Sequence, residues 1–366
     1  MTSESIAIGS RRVAPDVTRA VALIGVVTMN YHGTMNDVRD PHGFWEHLFH
    51  PYTGVLSTRF AATFVLMAGI GVALMASNTP TQSIPGEAGI RSRLARRGVL
   101  LYAAGLALNH AWAGTILFYY GAYLCIAAII VHLASKYLVL IAGAAIVGGA
   151  ALRGWLVSRP SAASPIEWLN PREVDSIADL FGRTFTGYTH PILPWIAFFI
   201  AGILIGRHLD RFERASGRIA VFTATCTVIL YIAIDILERF ESPDRAWVGG
   251  LLSTEPFDRG LGYSLTTLAI AVTAFAVITS IVRSSSMNAV LDHLRRAGQM
   301  TLSLYLGHVV VYYVLFRWWT LVEPHGLHTA IIVSTGYWVV GVAVASLWTR
   351  RFGKGPAERV YRAVGG

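Results

Sequence analysis

Four of the twelve histidines lie close together early in the chain: His32, His42, His47 and His50. A neutral imidazole has a pKa of about 6.5, so it can accept and return a proton near neutral pH, as a general base does. Solvated or interfacial loop histidines would give the same spacing. No His-x-x-x-His pair falls on a predicted helix, so we expect no zinc or other metal. The stretch is therefore a candidate catalytic loop.

Two other histidines lie inside or at the edge of apolar segments. His308 falls in the middle of a predicted membrane helix, where an ionisable side chain is costly and marks a functional candidate. The alternative interpretation is that His308 is a neutral histidine that forms a hydrogen bond between helices. His190 opens the stretch His190-Pro191-Ile192-Leu193-Pro194-Trp195, whose prolines suit a first helical turn. We expect His308, Tyr305, His190 and Trp195 to line a substrate channel, although interfacial anchoring would also explain His190.

The first apolar segment has a charged pair near its start and an amide near its end. Asp16 and Arg19 are three residues apart, so they share a helix face and can form an ion pair. Such a pair either fixes the helix end or helps to hold a phosphate. Asn30 lies about 16 Å further along the helix axis than Arg19, near the opposite membrane face. An amide there can donate to a reacting carbonyl or bond to a neighbouring helix.

A membrane scaffold is needed to position these residues. Of the 366 residues, 54% are hydrophobic and 14% are charged, which is more apolar than a soluble domain. A membrane helix needs about 20 mainly apolar residues. The sequence predicts one all-α domain over residues 1–366, a polytopic transmembrane helix bundle. We expect about ten membrane helices near 14–31, 54–77, 97–112, 114–134, 137–157, 190–206, 219–237, 261–282, 299–320 and 328–348.

The Lys and Arg residues predict the orientation of this bundle. Most of them fall on the cytoplasmic side if residues 1–13 and the tail 349–366 are both cytoplasmic. The basic residues behind the net charge of +9 then orient the helices in the membrane and attract anionic lipid. No nucleic-acid partner is expected. No cleavable signal peptide is visible, so the first helix is expected to direct insertion into the cytoplasmic membrane. Cys125 and Cys226 lie inside apolar runs and suggest no disulfide.

Several short motifs follow one another in an order typical of one family. They are Arg11-Arg12-x-x-x-Asp16-x-x-Arg19-x-x-Ala22-Leu23-x-Gly25-Val26-x-x-Met29-Asn30, His50-Pro51-Tyr52-Thr53-Gly54, Phe64-Val65-Leu66-Met67-Ala68-Gly69, Leu193-Pro194-Trp195 with Gly202-x-x-x-Gly206-Arg207, and Ser303-Leu304-Tyr305-Leu306-Gly307-His308. Together they resemble the heparan-α-glucosaminide N-acetyltransferase catalytic-domain family. That family belongs to a wider group of transmembrane acyltransferases, which includes the acyltransferase-3 enzymes.

The resemblance implies specific roles for some residues. Acyltransferase-3 enzymes have a histidine eleven residues after the arginine, where this chain has Asn30, as the heparan-type branch does. That branch has its active histidine in the loop before helix two. The match here is His50, followed by Tyr52 in place of a tryptophan, and His47 and His42 stay as alternatives. Acetyl-CoA is the implied donor, and arginine binds phosphate bidentately. The candidates for its site are Asp16, Arg19, Arg96 and Arg97.

We therefore expect a membrane acyltransferase that uses cytosolic acetyl-CoA and modifies an amine or hydroxyl of an extracytoplasmic sugar or glycolipid. His50 would deprotonate the acceptor or carry the acetyl group itself, and Asn30 would polarise the thioester carbonyl. A transporter or flippase for a small or lipid-linked substrate would use ten helices and His308 equally well. A non-catalytic scaffold is a third reading. Small residues that would permit a homo-oligomer are Gly143, Gly148 and Gly149.

Overall fold

In the computed structural model of the protein, every regular element among the described residues is a helix. The structure describes residues 12–35, 43–77, 84–159, 169, 171, 174–239, 246–286 and 288–366. The helices are α1 (Val13–Thr34), α2 (Phe44–Phe49), α3 (Arg59–Ser77), α4 (Ile84–Asn109), α5 (Leu117–Ile130), α6 (Ser135–Ser158), α7 (Ile177–Phe185), α8 (Ile192–Arg207), α9 (Leu209–Arg239), α10 (Ala246–Leu252), α11 (Leu261–Ser284), α12 (Ala289–Gly298), α13 (Thr301–Tyr312), α14 (Gly326–Phe352) and α15 (Pro356–Gly365). Residues Tyr313–Trp318 continue α13 as a π-helix.

Six helices are long and apolar enough to cross a membrane: α1, α3, α6, α9, α11 and α14. The pair of α12 and α13 with its π-helical continuation also passes this test, but the pair is bent by 81°. Each of the ten predicted segments overlaps a helix. However, α5 and α8 have only 14 and 16 residues. Among the described residues, length and composition therefore support six or seven spans rather than ten.

Helix α9 presents large apolar side chains outward. Val221, Phe222 and Val228 are 69%, 68% and 57% exposed in the isolated chain. A soluble protein rarely leaves such a continuous apolar surface uncovered, whereas lipid covers it at no cost. The outward face of α9 therefore identifies a surface that contacts the bilayer, and the chain is a multi-pass membrane protein.

Helix α1 lies at the centre of the bundle, where it contacts α3, α11, α12, α13 and α14. Its polar residues are therefore surrounded by other helices. At the start of α1, Gly298 of α12 lies so close that a Cβ atom would overlap the backbone oxygen of Asp16. This close approach requires glycine, and it brings the end of α12 beside Asp16.

The predicted cytoplasmic tail folds back onto the bundle as α15, which contacts α4 and α13. Glu358 of α15 accepts hydrogen bonds from the backbone nitrogens of Leu302 (2.7 Å) and Ser303 (3.1 Å). These are unsatisfied donors in the first turn of α13, where a carboxylate also complements the helix dipole. The tail is thus attached to the same end of the bundle as the start of α1.

Candidate active site

A cavity of about 1310 Å³ lies at the end of the bundle where α1 begins, and we call it the arginine cavity. Ordinary small-molecule pockets measure about 300–1,000 Å³, so a ligand larger than most drugs fits here. Only three acids line it, Asp16, Asp210 and Glu358. Eight arginines line it: Arg12, Arg19, Arg93, Arg97, Arg207, Arg211, Arg214 and Arg362. This excess of positive charge favours an anionic ligand.

The ion pair predicted at the start of α1 is present in this cavity. Arg19 Nη1 lies 3.1 Å from Asp16 Oδ1, and Arg19 Nη2 donates to the backbone oxygen of Met67 at 3.3 Å. Gln299 Nε2 donates to the other carboxylate oxygen of Asp16 at 3.2 Å. Asp16 is buried, whereas about a fifth of the Arg19 side chain (22%) is exposed. Asp16 therefore orients Arg19 while the guanidinium stays accessible from the cavity.

Helix α4 adds two further arginines. Arg93 and Arg97 line the cavity, and the Nε of each is buried without a hydrogen-bond partner among the described residues. Arg97 also lies 5.2 Å from the ring of Tyr361 on α15, whose pKa is raised by burial to about 12. Arg96 points away: it is exposed and is not part of the cavity lining. Of the two arginines predicted on α4, the structure thus places Arg97 in the cavity but not Arg96.

A second cavity, of about 410 Å³, lies near the other end of α1, and we call it the aromatic pocket. Asn30 lines it, about 21 Å along the helix axis from Asp16. Its aromatic lining residues are Tyr52, Phe60, Trp112, Tyr188, Phe257, Tyr305, Tyr312 and Tyr313. Tyrosine and tryptophan rings offer a flat apolar face together with a polar atom. The pocket therefore suits a ligand group that is both polar and ring-shaped.

Asn30 and His308, predicted as separate site residues, contact each other. Asn30 Nδ2 lies 3.1 Å from His308 Nε2. His308 Nδ1 contacts the backbone oxygen of Tyr305, which can only accept a hydrogen bond, so Nδ1 carries the proton. Nε2 is then the acceptor, and the Asn30 amide donates to it. His308 is fully buried and lines neither cavity, so it orients the amide of Asn30 in the pocket wall.

Of the described histidines in the predicted catalytic loop, none is in the lining of the aromatic pocket, and His50 lies beside Pro51 and Tyr52 of that lining. His50 Nδ1 accepts a hydrogen bond from the backbone nitrogen of Thr53 at 3.0 Å and lies 2.7 Å from the hydroxyl oxygen of the same residue. Its ring packs against His32 and Tyr52. His47 is exposed on α2, and His42 lies outside the described residues. His190, by contrast, lines the pocket, with Trp195 packed behind it at 4.5 Å between ring centroids.

Tyr305 and Ile116 line both cavities. The Tyr305 hydroxyl accepts a hydrogen bond from the backbone nitrogen of Ile116 and donates to Thr115 Oγ1, each at 3.2 Å. These bonds hold the phenol ring in place between the arginine cavity and the aromatic pocket. Tyr305 therefore marks the point where the two cavities meet.

Buried arginines hold the loops around the aromatic pocket. Arg183 is fully buried and donates to Asn109 Oδ1 (2.7 Å) and the backbone oxygen of Ala113 (2.8 Å). Its guanidinium also lies 4.0 Å from the ring centroid of Tyr188. Arg59 donates to the backbone oxygens of Ser57 (3.1 Å) and Thr254 (2.8 Å). These guanidinium groups therefore have structural roles in the pocket wall.

Two cavities that meet at one buried tyrosine, at opposite ends of a central helix, define a membrane protein that can bind an anionic ligand on one side and a second ligand on the other. A family model described as "Heparan-alpha-glucosaminide N-acetyltransferase, catalytic" matches residues 11–234, which is more than half of the chain. The chain belongs to this family of membrane acyltransferases. A second model, described as "Protein of unknown function (DUF418)", matches residues 205–365. No curated protein matches the chain.

The resemblance inferred from the sequence motifs is thus confirmed. Residues matched by the second model complete the site of the first; of these, Tyr305 and His308 were predicted from the sequence, whereas Gln299, Tyr361 and Arg362 were not. Gln299 bonds to Asp16 and His308 bonds to Asn30, while Tyr305 lines both cavities. Tyr361 and Arg362 of α15 line the arginine cavity. The run of arginines in residues 91–97 was a visible signal for Arg93, but sequence position alone did not distinguish it from Arg96.

Proposed function

We propose that the protein transfers an acetyl group from acetyl-CoA in the arginine cavity to an amine or hydroxyl of a sugar or glycolipid in the aromatic pocket. The arginine cavity carries this proposal, because its volume and charge fit a long anionic donor. Helix α4 and the shorter helices α5 and α8 would raise the number of spans to about ten. With both termini cytoplasmic, the arginines of the cavity follow the positive-inside rule. The whole chain then acts as one acyltransferase domain in the cytoplasmic membrane.

The arginine cavity has the donors that the phosphate groups of CoA require. Arg19, Arg93 and Arg97 come from two different helices and face one cavity. Guanidinium groups bind phosphate oxygens through paired N–H donors. The pantetheine arm would extend along α1 toward Tyr305, which separates the two cavities. The thioester would then meet the acceptor near Asn30.

Asn30 has the geometry to stabilise the charge that develops on the thioester oxygen. One Nδ2 hydrogen is donated to His308, and the second can donate to a carbonyl in the pocket. Because His308 fixes the amide, little reorganisation is required during the reaction. The motif His50-Pro51-Tyr52-Thr53-Gly54 proposes His50 as the residue that takes the acceptor proton or carries the acetyl group. Its neighbour Pro51 lines the aromatic pocket, which supports this assignment.

A transporter for a lipid-linked substrate is the second candidate, and the pair of cavities at opposite ends of α1 is the observation that favours it. In a transporter the barrier at Tyr305 would open to let the ligand pass. In an acyltransferase the ligand remains bound while the acetyl group crosses. Release of free CoA on the side where acetyl-CoA was added distinguishes the two.

The test is calorimetric titration of acetyl-CoA into detergent-purified protein, followed by an assay of CoA release with glucosamine as the acceptor probe. We expect saturable binding that Arg19→Ala weakens by about tenfold, which corresponds to about 1.4 kcal/mol. Asn30→Ala is expected to keep this affinity and to lower the rate of CoA release by about 100-fold or more. Folded wild-type protein that does not bind acetyl-CoA would contradict the proposal.

A further inference from the structure

The lining of the aromatic pocket includes one permanently charged side chain among the described residues, that of Arg317, and no carboxylate. Arg317 is exposed, and within the described part of the chain it forms no hydrogen bond or ion pair. Arg59 and Arg183, in contrast, donate to loop oxygens around the same pocket. The guanidinium group of Arg317 is therefore available to an anionic ligand.

The helix that carries Arg317 is held against the pocket loops. Arg317 belongs to the π-helix Tyr313–Trp318, and π-helical turns are frequent at functional sites. The hydroxyl of Tyr313 donates to the backbone oxygen of Ala111 at 2.6 Å, and its ring packs against Trp318 at 5.7 Å between centroids. Tyr313 and Ala111 both line the pocket. These contacts hold the backbone of Arg317 at the pocket wall.

Two adjacent polar side chains in the same lining lack protein partners. His190 is 9% exposed, and its Nδ1 is buried without a hydrogen-bond partner among the described residues, as is the hydroxyl of Thr189. Burial, together with the nearby Arg259, lowers the pKa of His190 to about 3, so its imidazole is neutral near pH 7. Buried polar atoms are nearly always hydrogen-bonded in native proteins, so these two exceptions indicate where a ligand supplies partners. A neutral imidazole and a hydroxyl both suit the hydroxyl groups of a sugar.

The size of the pocket limits the ligand. Its volume of about 410 Å³ is near the lower end of ordinary small-molecule sites, which measure about 300–1,000 Å³. Tyr52 and Tyr188 offer flat rings against which a sugar can stack. The lining thus matches a single sugar, rather than a long glycan chain, and Arg317 adds a site for one negative charge on it.

Exposed tryptophans next to Arg317 indicate the depth at which this negative charge lies. Trp318 and Trp319 are 65% and 68% exposed, and Leu321 is 63% exposed. Tryptophan is enriched at the membrane–water interface, at the level of the lipid head groups. With both termini cytoplasmic, Arg317 lies at the outer interface, where the positive-inside rule disfavours arginine unless it has a specific role. Phosphate is the anionic group of lipids at this level, which favours a phosphate over a carboxylate.

We propose that the acceptor is a phosphorylated sugar whose phosphate is bound by Arg317 and whose hydroxyl groups are bound by Thr189 and His190, an inference that rests on the proposed acyl transfer. A guanidinium group can bind two phosphate oxygens through paired N–H donors. The phosphate does not react. It holds the sugar so that an amine or a further hydroxyl lies near Asn30, which lines the same pocket. A soluble sugar phosphate and a lipid-linked sugar phosphate share this chemistry.

The first measurement is calorimetric binding to detergent-purified full-length protein, with glucosamine and glucosamine 1-phosphate as the two probes. We expect the wild type to bind glucosamine 1-phosphate about tenfold or more tightly, the typical effect of one hydrogen bond to a charged group. Arg317→Ala is expected to abolish this preference and to leave the affinity for glucosamine unchanged. Arg317→Lys should keep part of the preference, because lysine is charged but lacks the planar fork. Since Arg317 is exposed, the thermal midpoint should not change in either variant.

The matched control is Arg239→Ala, which removes an exposed arginine that lines neither cavity. This variant should keep the preference for glucosamine 1-phosphate. Acetyl-CoA affinity should be unchanged in the variants of both arginines. In an assay of CoA release, Arg317→Ala should raise the KM for glucosamine 1-phosphate about tenfold and leave kcat nearly unchanged, because the phosphate is bound equally in the ground state and the transition state.

A lipid-linked probe identifies the source of the sugar phosphate. Glucosamine phosphate joined to a polyprenyl chain is compared with glucosamine 1-phosphate on protein in phosphatidylcholine nanodiscs. Tighter binding of the lipid-linked probe, with the gain from phosphate lost in Arg317→Ala, would support a lipid-linked acceptor. Equal binding of the two probes, with the same dependence on Arg317, would support a soluble one.

The contrary outcomes separate this inference from the proposed function. Folded wild-type protein that shows no preference for glucosamine 1-phosphate over glucosamine would overturn the inference, and CoA release with glucosamine would leave acyl transfer intact. An equal loss of preference in Arg239→Ala would also overturn it, because net charge rather than Arg317 would then bind the phosphate. Absence of acetyl-CoA binding would instead overturn the proposed function, whereas an Arg317-dependent preference for the sugar phosphate would still stand.

Discussion

The two ends of the bundle use arginine in opposite ways. In the arginine cavity the guanidinium groups line a space of about 1310 Å³, and Arg19 keeps 22% of its side chain exposed. Around the aromatic pocket, Arg59 and Arg183 are at most 2% exposed and donate to loop oxygens. Arg19 therefore faces a ligand space at one end, whereas Arg59 and Arg183 are buried and hold backbone at the other.

This difference shows why arginine content alone does not identify a binding site. A guanidinium group has five N–H donors in a rigid fork, and buried carbonyl oxygens satisfy these donors as well as phosphate oxygens do. What distinguishes the two uses is access to the guanidinium from a cavity. Changes of the buried arginines around the aromatic pocket should therefore affect folding, whereas changes of the accessible arginines in the arginine cavity should affect ligand affinity.

The largest effect is expected for Arg183→Ala. This change leaves the carbonyl oxygens of Ala113 and Asn109 without their donor, and hydrogen bonds to a charged group are worth about 1.5–3 kcal/mol each. We expect the free energy of unfolding to fall by about 3 kcal/mol or more, seen as a lower thermal midpoint in detergent. Arg183→Lys is the matched control and should recover only part of the loss, because lysine lacks the planar fork. An unchanged thermal midpoint in Arg183→Ala would contradict the structural role assigned to the buried arginines around the aromatic pocket.

Arg93→Ala is expected to show the opposite pattern. Arg93 lines the arginine cavity, and the loss of one charge-assisted hydrogen bond to a phosphate costs about 1.5–3 kcal/mol, or roughly tenfold or more in affinity. The thermal midpoint should change little. Calorimetric titration with acetyl-CoA, repeated at higher salt, measures the effect. A large loss of stability with unchanged affinity would show that this arginine, too, has a structural role.

A smaller effect is expected where the two cavities meet. Tyr305→Phe keeps the ring but removes the hydroxyl that bonds to Thr115 and to the backbone of Ile116. A neutral hydrogen bond contributes about 0.5–1.5 kcal/mol, so a stability loss of about 1–2 kcal/mol is expected with little change in acetyl-CoA affinity. Chemical denaturation monitored by tryptophan fluorescence would measure it. A strong change in donor affinity would instead place the donor against the phenol hydroxyl.

The smallest effect is expected for Arg96→Ala. Arg96 is one position from Arg97 in sequence but is exposed and lies outside the cavity lining. Exposed charges contribute about 0–1 kcal/mol at most, so acetyl-CoA affinity should change by less than about fivefold. The titration used for Arg93→Ala serves as the direct comparison. An equal loss of affinity in Arg93→Ala and Arg96→Ala would mean that the total positive charge at this end of the bundle, rather than the geometry of the cavity, determines acetyl-CoA affinity.

Much of the site could be predicted where it depends on spacing along one helix. Asp16 and Arg19 form their pair because three residues separate them on α1, and Asn30 lies near the far end for the same reason. The contact of Asn30 with His308 could not be predicted, because it joins two helices distant in sequence. The position of His190 in the pocket lining, with His50 beside it, also depends on loop geometry that the sequence does not specify.

The sequence by itself determined that this is an all-α membrane protein of an acyltransferase family, because apolar length, charge distribution and motif order are properties of the chain alone. The tertiary structure decided which polar residues share a cavity. It places α15 against α4, separates Arg93 from Arg96, and sets Tyr305 between the two cavities. The physical reason is that a helix surface offers several faces, and packing against distant segments selects the face that meets the ligand.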